Sequence, residues 1–181
     1  MKTFSAAFSF TILLLSIGCN FKTPQLKGIY QDKTYNFVTS DSKEKVLNKL
    51  LDFFTTEGLI IKTIDKPSGL IVTDITSFLN SYTCEAKDGS LIDSNAKVVY
   101  SKVRGQLTFA LTNKPDVITG QWIVRVKEQA DTTIVGIKLA NIDGRIVLQD
   151  SSANRIVPEA NYKLIVKSTG VFEKAVQAAL K

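Results

Sequence analysis

The residues able to do chemistry in this chain are few, and their types exclude more than they suggest. No histidine occurs in the 181 residues, which removes Ser-His-Asp and Cys-His catalysis and every zinc site that needs an imidazole. The two cysteines are Cys19, at the end of an apolar leader, and Cys84. Cys84 lies in Ser81-Tyr82-Thr83-Cys84-Glu85, beside an acid, a poor setting for a thiolate nucleophile; it reads as a lone half-buried thiol. With one cysteine outside the leader, neither an intrachain disulfide nor a thiolate metal cluster is available there. Asp88 and Asp93 share one segment but lack the D-x-D-x-D-G pattern of a calcium loop. The glycines form neither a G-x-x-x-x-G-K nor a G-x-G-x-x-G run. The expectation is therefore a protein that is not an enzyme, with no catalytic residue, no cofactor and no metal. Trp122, among Ile123, Val124 and Val126, reads as core before it reads as a ligand platform. Phe78, Tyr82 and Tyr100 flank a polar segment, where they form either a docking patch or a local satellite core.

Composition agrees with a binding or scaffolding role. Apolar residues are 44% of the chain and charged residues 22%, with 10 Gly and 4 Pro, a globular composition. Setting Lys2 aside with the leader leaves 22 basic against 17 acidic residues, a net of about +5. No basic block exceeds two residues, so the charge reads as a solvated surface and not as a nucleic-acid footprint.

Lys2 followed by the uncharged residues 4–17 has the pattern of a secretory signal, residues 1–18. As a helix those fourteen apolar residues would reach about 21 Å at ~1.5 Å per residue, short of a roughly 30 Å hydrocarbon core, so a cleaved leader fits better than a permanent span. The leader ends in Leu14-Leu15-Ser16-Ile17-Gly18-Cys19, which resembles the lipobox of bacterial lipoproteins. That resemblance implies cleavage before Cys19 and acylation there, a membrane anchor of more than one chain. Ser16 stands where the family usually has Leu, and Ile17 is bulkier than the common residue. Asn20, where an Asp would imply retention at the inner membrane, implies the outer membrane, with the domain facing the periplasm. Residues 19–32 carry Pro24 and Gly28 without a clear period and read as a tether, leaving 33–181 as one domain.

The elements that must position any site follow from periodicity. Residues 34–39 alternate as a strand. Asp41-Ser42-Lys43-Glu44 is a D-x-x-E capping box, starting a helix at about Ser42 whose Val46, Leu47, Leu50, Leu51 and Phe54 share a face. Gly58 ends it. Residues 59–65 and 70–78 are β-branched runs around Lys66-Pro67-Ser68-Gly69, a hairpin turn. Residues 79–96 read as a loop insertion. Strands are expected at 103–112, 121–128 and 132–142, the last two joined at Ala130-Asp131. Residues 143–160 read as loop and 162–166 as a short strand. A final helix over 171–180 stacks Phe172, Val176 and Leu180, with Ser168 and Thr169 as candidate caps. The fold class is α+β: an antiparallel β-sheet packed on one face by two helices, in the order β-α-β-β-insertion-β-β-β-α.

This succession is similar to the helix-grip domains of the BamC (NlpB) lipoproteins of the outer-membrane β-barrel assembly machinery. The resemblance lies in Glu57-Gly58-Leu59 leading to Ile64-Asp65-Lys66-Pro67-Ser68-Gly69-Leu70-Ile71-Val72-Thr73-Asp74, and in Ser168-Thr169-Gly170 before the last helix. It covers about a fifth of the chain and consists of caps, turns and core positions, so it implies fold more than role. BamC carries two such domains and a long N-terminal segment; this chain reads as one domain on a short tether. The resulting expectation is an envelope accessory lipoprotein, held to the membrane through lipid on Cys19 and binding an envelope protein. A module holding a small apolar ligand between helix and sheet is the alternative. The insertion at 79–96 is the expected contact surface.

Overall fold

The computed structural model describes the backbone of residues 25–102, 114–150 and 155–181, and the side chains of these except at 148–162. The leader, Cys19 and the strand expected at 103–112 lie outside the described residues. The fold is α+β, with two helices among the described residues and a mostly antiparallel sheet.

Strand β1 (Tyr35–Thr39) leads into helix α1 (Lys43–Thr56). The helix is capped by Ser42, one residue later than the D-x-x-E reading implied: Ser42 Oγ accepts from the Lys45 N–H at 3.4 Å. Asp41 is thereby released to pair with Lys45 at 2.6 Å and Lys49 at 2.8 Å. Val46, Leu47, Leu50 and Phe54 are buried, as the spacing requires, while Leu51 is only partly so. Gly58 follows at φ +70, the left-handed conformation that ends a helix with little cost only at glycine.

Strands β2 (Ile61–Asp65) and β3 (Leu70–Thr73) form the expected hairpin. Its Gly69 sits at φ +68, and a Cβ there would lie 2.0 Å from the Val126 carbonyl oxygen. The glycine thus serves both the turn and the close approach of β3 to its neighbour. The run expected over 70–78 breaks at Asp74 and Ile75, so that β4 (Thr76–Ser77) pairs separately. The two longest strands are β7 (Val117–Gln129) and β8 (Thr132–Asp150), joined at Ala130, which takes φ +50.

The large sheet has seven strands in the order β1-β8-β7-β3-β2, with β4 beside β7 and β9 (Arg155–Lys163) beside β8. The loop reading of 143–160 is corrected at both ends: β8 continues into it as far as Asp150 and pairs with β9, which starts at Arg155. Polar residues such as Asp143, Gly144 and Arg145 hid a strand whose ladder, rather than its composition, makes it regular. A bulge between Thr119 and Gln121 on β7 faces Asn141, at φ +51. There Asn141 Nδ2 donates to Gln121 Oε1 at 2.5 Å and Gln121 Nε2 to the Thr73 carbonyl at 3.2 Å, so the buried amide of Gln121 is satisfied on both sides.

One face of the large sheet is apolar. Trp122, Val124 and Val126 of β7, with Val135, Ile137 and Leu139 of β8, are buried, whereas Arg125 and Lys127 between them are exposed. Both helices share that face: α1 contacts β7, and Phe172 of α2 (Val171–Ala179) stacks on Trp122 with ring centroids 4.1 Å apart. Gly170, at φ +87, is the N-cap of α2 and supplies no side-chain bond; the Ser168 and Thr169 hydroxyls instead accept from the N–H groups two residues on, those of Gly170 and Val171.

The insertion is not a loop throughout. Within it, β5 (Tyr82–Cys84) runs parallel to β6 (Val98–Tyr100), and β10 (Val166–Ser168) flanks β6 on the other side, making a second, three-stranded sheet. The short strand expected at 162–166 divides between β9 and β10. The second sheet leans on the first where Val166 crosses Gly144, whose missing Cβ would meet Val166 Cγ2 at 2.4 Å. The pairing of β6 with β10 joins residues 66 to 70 positions apart and that of β5 with β6 residues 16 apart, and no local pattern announces either.

Candidate functional site

The three aromatic residues singled out from sequence meet two different fates. Phe78 and Tyr100 are buried, Phe78 edge-on to Trp122 at 6.2 Å. Tyr82 is half-buried and packs against Tyr100 at 5.6 Å. Of the two alternatives, the structure takes the local core for Phe78 and Tyr100, because pairing of β5 with β6 turns the flanks of the insertion inward. Burial raises the Tyr100 phenol well above its ordinary range, with Cys84 and Tyr82 beside it adding to the effect. Cys84 is half-buried on β5, opposite Tyr100 in the ladder, and is a free thiol.

The space between helices and sheet is filled by rings. Phe172 lies between Trp122 and Phe54, stacked on Phe54 at 6.2 Å, and Phe53 touches it at 5.7 Å. Trp122, Phe54 and Phe172 are each at most 1% exposed. Lys97 places its ammonium 5.5 Å from the Phe172 ring while pairing with Glu57 at 2.7 Å. Trp122 thus belongs to the core. Next to this stack Glu173 is wholly buried. One oxygen accepts from Ser168 Oγ at 2.9 Å, and the other finds no partner among the described residues. Burial pushes its carboxyl above the ordinary range, partly offset by the Ser168 hydroxyl. Ser168 thus ties the residue before α2 to its first turn, accepting from the Gly170 N–H while donating to Glu173.

Two surface features remain. The first is the edge of the large sheet at β2. The Asp74 N–H donates to the Ile60 carbonyl at 2.7 Å, setting Ile60 beside Ile75 where β3 gives way to β4. Ile60 is 71% exposed, Ile75 62% and Leu79 41%. Strand β2 has no second strand partner among the described residues, and exposed apolar side chains near a sheet edge are the kind of surface that folded proteins usually cover.

The second is at the insertion, where Glu85 holds the segment before β1. Its carboxylate accepts from the Lys27 N–H at 2.9 Å, the Gly28 N–H at 2.7 Å and the Tyr30 hydroxyl at 2.7 Å. Lys27 Nζ donates to the Lys87 carbonyl at 2.6 Å, the Gln31 N–H to the Ser168 carbonyl at 3.1 Å, and Lys167 pairs with Asp32 at 3.2 Å. Successive N–H groups converging on an anion make a backbone nest. Burial raises the Glu85 pKa, but these donors outweigh it and leave the carboxyl below its usual range. Residues 25–32, read from sequence as tether, therefore lie on the domain. The only local signals were Gly28, where a Cβ would strike the Tyr30 ring at 2.7 Å, and Gly89, at φ +92 and closely approached by Lys27.

Among the described residues no group of three or more Cys, Asp or Glu side chains is placed to hold a metal ion, and no helix is long and apolar enough to cross a membrane. No protein-family model matches the chain, and no curated protein matches it.

Proposed function

We propose that this chain is a membrane-anchored lipoprotein of a bacterial envelope, acylated at Cys19, whose domain is a non-catalytic accessory module that binds another protein. The observation that carries the binding role is the exposure of Ile60, Ile75 and Leu79 together with the edge position of β2, which has no second strand partner among the described residues. A partner strand added there would satisfy the edge N–H and C=O groups and cover the side chains at once. The filled stack of Trp122, Phe172 and Phe54 supports this reading over a ligand held between helix and sheet, because a ligand site is usually concave and preformed. Lack of histidine supports a role without catalysis. Two helices sharing one face of an antiparallel sheet fit a BamC-like helix-grip arrangement, and the second sheet is an addition to it. Asn20 after the acylated cysteine favours the outer membrane, with the domain in the periplasm.

The test is photo-cross-linking in cells from position 60 or 75, compared with position 131 in the turn between β7 and β8. A partner captured from 60 and lost in Ile75→Asp, and captured from 75 and lost in Ile60→Asp, with the protein still folded and membrane-bound, is the expected result. Equal capture from 131 would remove the edge as the interface. A co-purified apolar small molecule with no captured protein would replace this reading by the ligand-binding one.

A further inference from the structure

The segment held by Glu85 is also the segment that leads to Cys19. From Cys19 to Lys27 the chain spans at most about 29 Å, even fully extended at ~3.6 Å per residue. The domain itself has a radius of gyration of roughly 15 Å, hence a diameter near 40 Å. If Lys27 and Gly28 stay in the nest made with Glu85, an anchor at Cys19 can reach the bilayer only from the insertion end. The turn at Asp131 is at the opposite end. It adjoins the start of β8, and from Thr132 to Gly144, where the second sheet attaches, is roughly 40 Å of strand at ~3.3 Å per residue.

What this end presents fits an interface with lipid. Ile29, directly after the held glycine, is 103% exposed, and Ile92, whose N–H donates to the Cys84 carbonyl one residue before Glu85, is 64% exposed. Both are large apolar side chains left exposed by the described residues, close in the chain or ladder to the Glu85 contacts. The charges around them are Lys27 and Lys87 against Glu85, Asp88 and Asp93, a net of −1. Attraction to anionic headgroups is therefore not the driving term, and burial of the isoleucines is.

We infer that the domain stands on the bilayer by its insertion end, the Glu85 nest fixing the exit of the anchored segment while Ile29 and Ile92 seat in the headgroup region of a phospholipid membrane. This rests on acylation of Cys19. It makes the anchor a rigid mount, one that directs the β7–β8 turn away from the membrane.

The experiment uses the full-length protein, produced with its leader and reconstituted in phosphatidylcholine vesicles containing nitroxide-headgroup lipid. In a Cys84→Ser background, where an acylated Cys19 has no free thiol, a fluorophore is placed by Ser94→Cys in the insertion or by Asp131→Cys in the distal turn. Several-fold stronger quenching at 94 than at 131 is expected. Glu85→Ala, with its melting checked, is expected to reduce that ratio to near one, and Ile29→Asp/Ile92→Asp to lower it. Equal quenching at the two sites with acylated Cys19, confirmed by mass spectrometry of the same sample, overturns the inference and leaves the lipoprotein reading standing. A bias unchanged in folded Glu85→Ala overturns the role of the nest. An unmodified Cys19 overturns the lipoprotein reading, and the mount with it.

Discussion

Truncating Phe172 to alanine should remove the centre of the helix–sheet interface. The ring is 1% exposed and contacts Trp122 at 4.1 Å, Phe53 at 5.7 Å and Phe54 at 6.2 Å between centroids, so its loss leaves a space that three other rings cannot close without moving the helices. Buried Phe→Ala changes cost about 3–5 kcal/mol, and the better helix propensity of alanine returns only about 0.5. Against a total stability of roughly 5–15 kcal/mol this is a large fraction. At about 2–4 °C per kcal/mol for a domain of this size, the melting temperature should fall by about 6–20 °C. Phe172→Leu keeps most of the apolar volume and should cost less, chiefly the ring pairing of about 0.5–1.5 kcal/mol. Urea unfolding of the Cys19→Ser protein measures both, and Trp122, the single tryptophan of the chain, reports from inside the stack. A red shift of its emission in folded Phe172→Ala is expected. A loss under about 1 kcal/mol with unchanged emission would refute the packing of α2 on Trp122, and with it the case for a filled interface.

Glu173 predicts a pH dependence. Because burial raises its folded pKa, its contribution is fully present below the unfolded value of roughly 4.3 and is lost as pH rises through the folded one. Glu173→Gln should therefore melt higher than wild type at pH 7, the difference shrinking toward pH 4 in parallel thermal scans; a lower melting temperature at pH 7 would contradict the assignment. The glycines separate two effects in denaturant titrations. Gly58→Ala meets open space and should cost about 1–2 kcal/mol for left-handed backbone alone, whereas Gly69→Ala adds a clash with the Val126 carbonyl and should cost clearly more. Equal losses at the two positions would mean that β3 and β7 are not so close.

Elements stabilised by contacts near in sequence were legible without the fold. The apolar period of 3.6 marked α1 and α2, Gly58 marked a helix end, and Lys66-Pro67-Ser68-Gly69 marked a hairpin, since caps and turns are set by a few successive dihedrals. The cap of α1 was displaced by one residue because two adjacent residues, Asp41 and Ser42, compete for it. The proposed leader and acylation at Cys19 likewise rest on a short linear pattern. Absence of histidine, likewise a property of the sequence itself, ruled out whole classes of catalysis. Tertiary structure decided whatever depends on which strands pair. Parallel pairing of β5 with β6 made part of the supposed insertion a strand and turned Phe78 and Tyr100 inward; pairing of β8 with β9 made a strand of a polar stretch. Glu85 and Lys27 are 58 residues apart, and a carboxylate acquires its role from two backbone N–H groups that carry no side-chain signature. A nest of that kind cannot be seen in residue types, because its donors belong to the backbone and only the fold brings them to the acid.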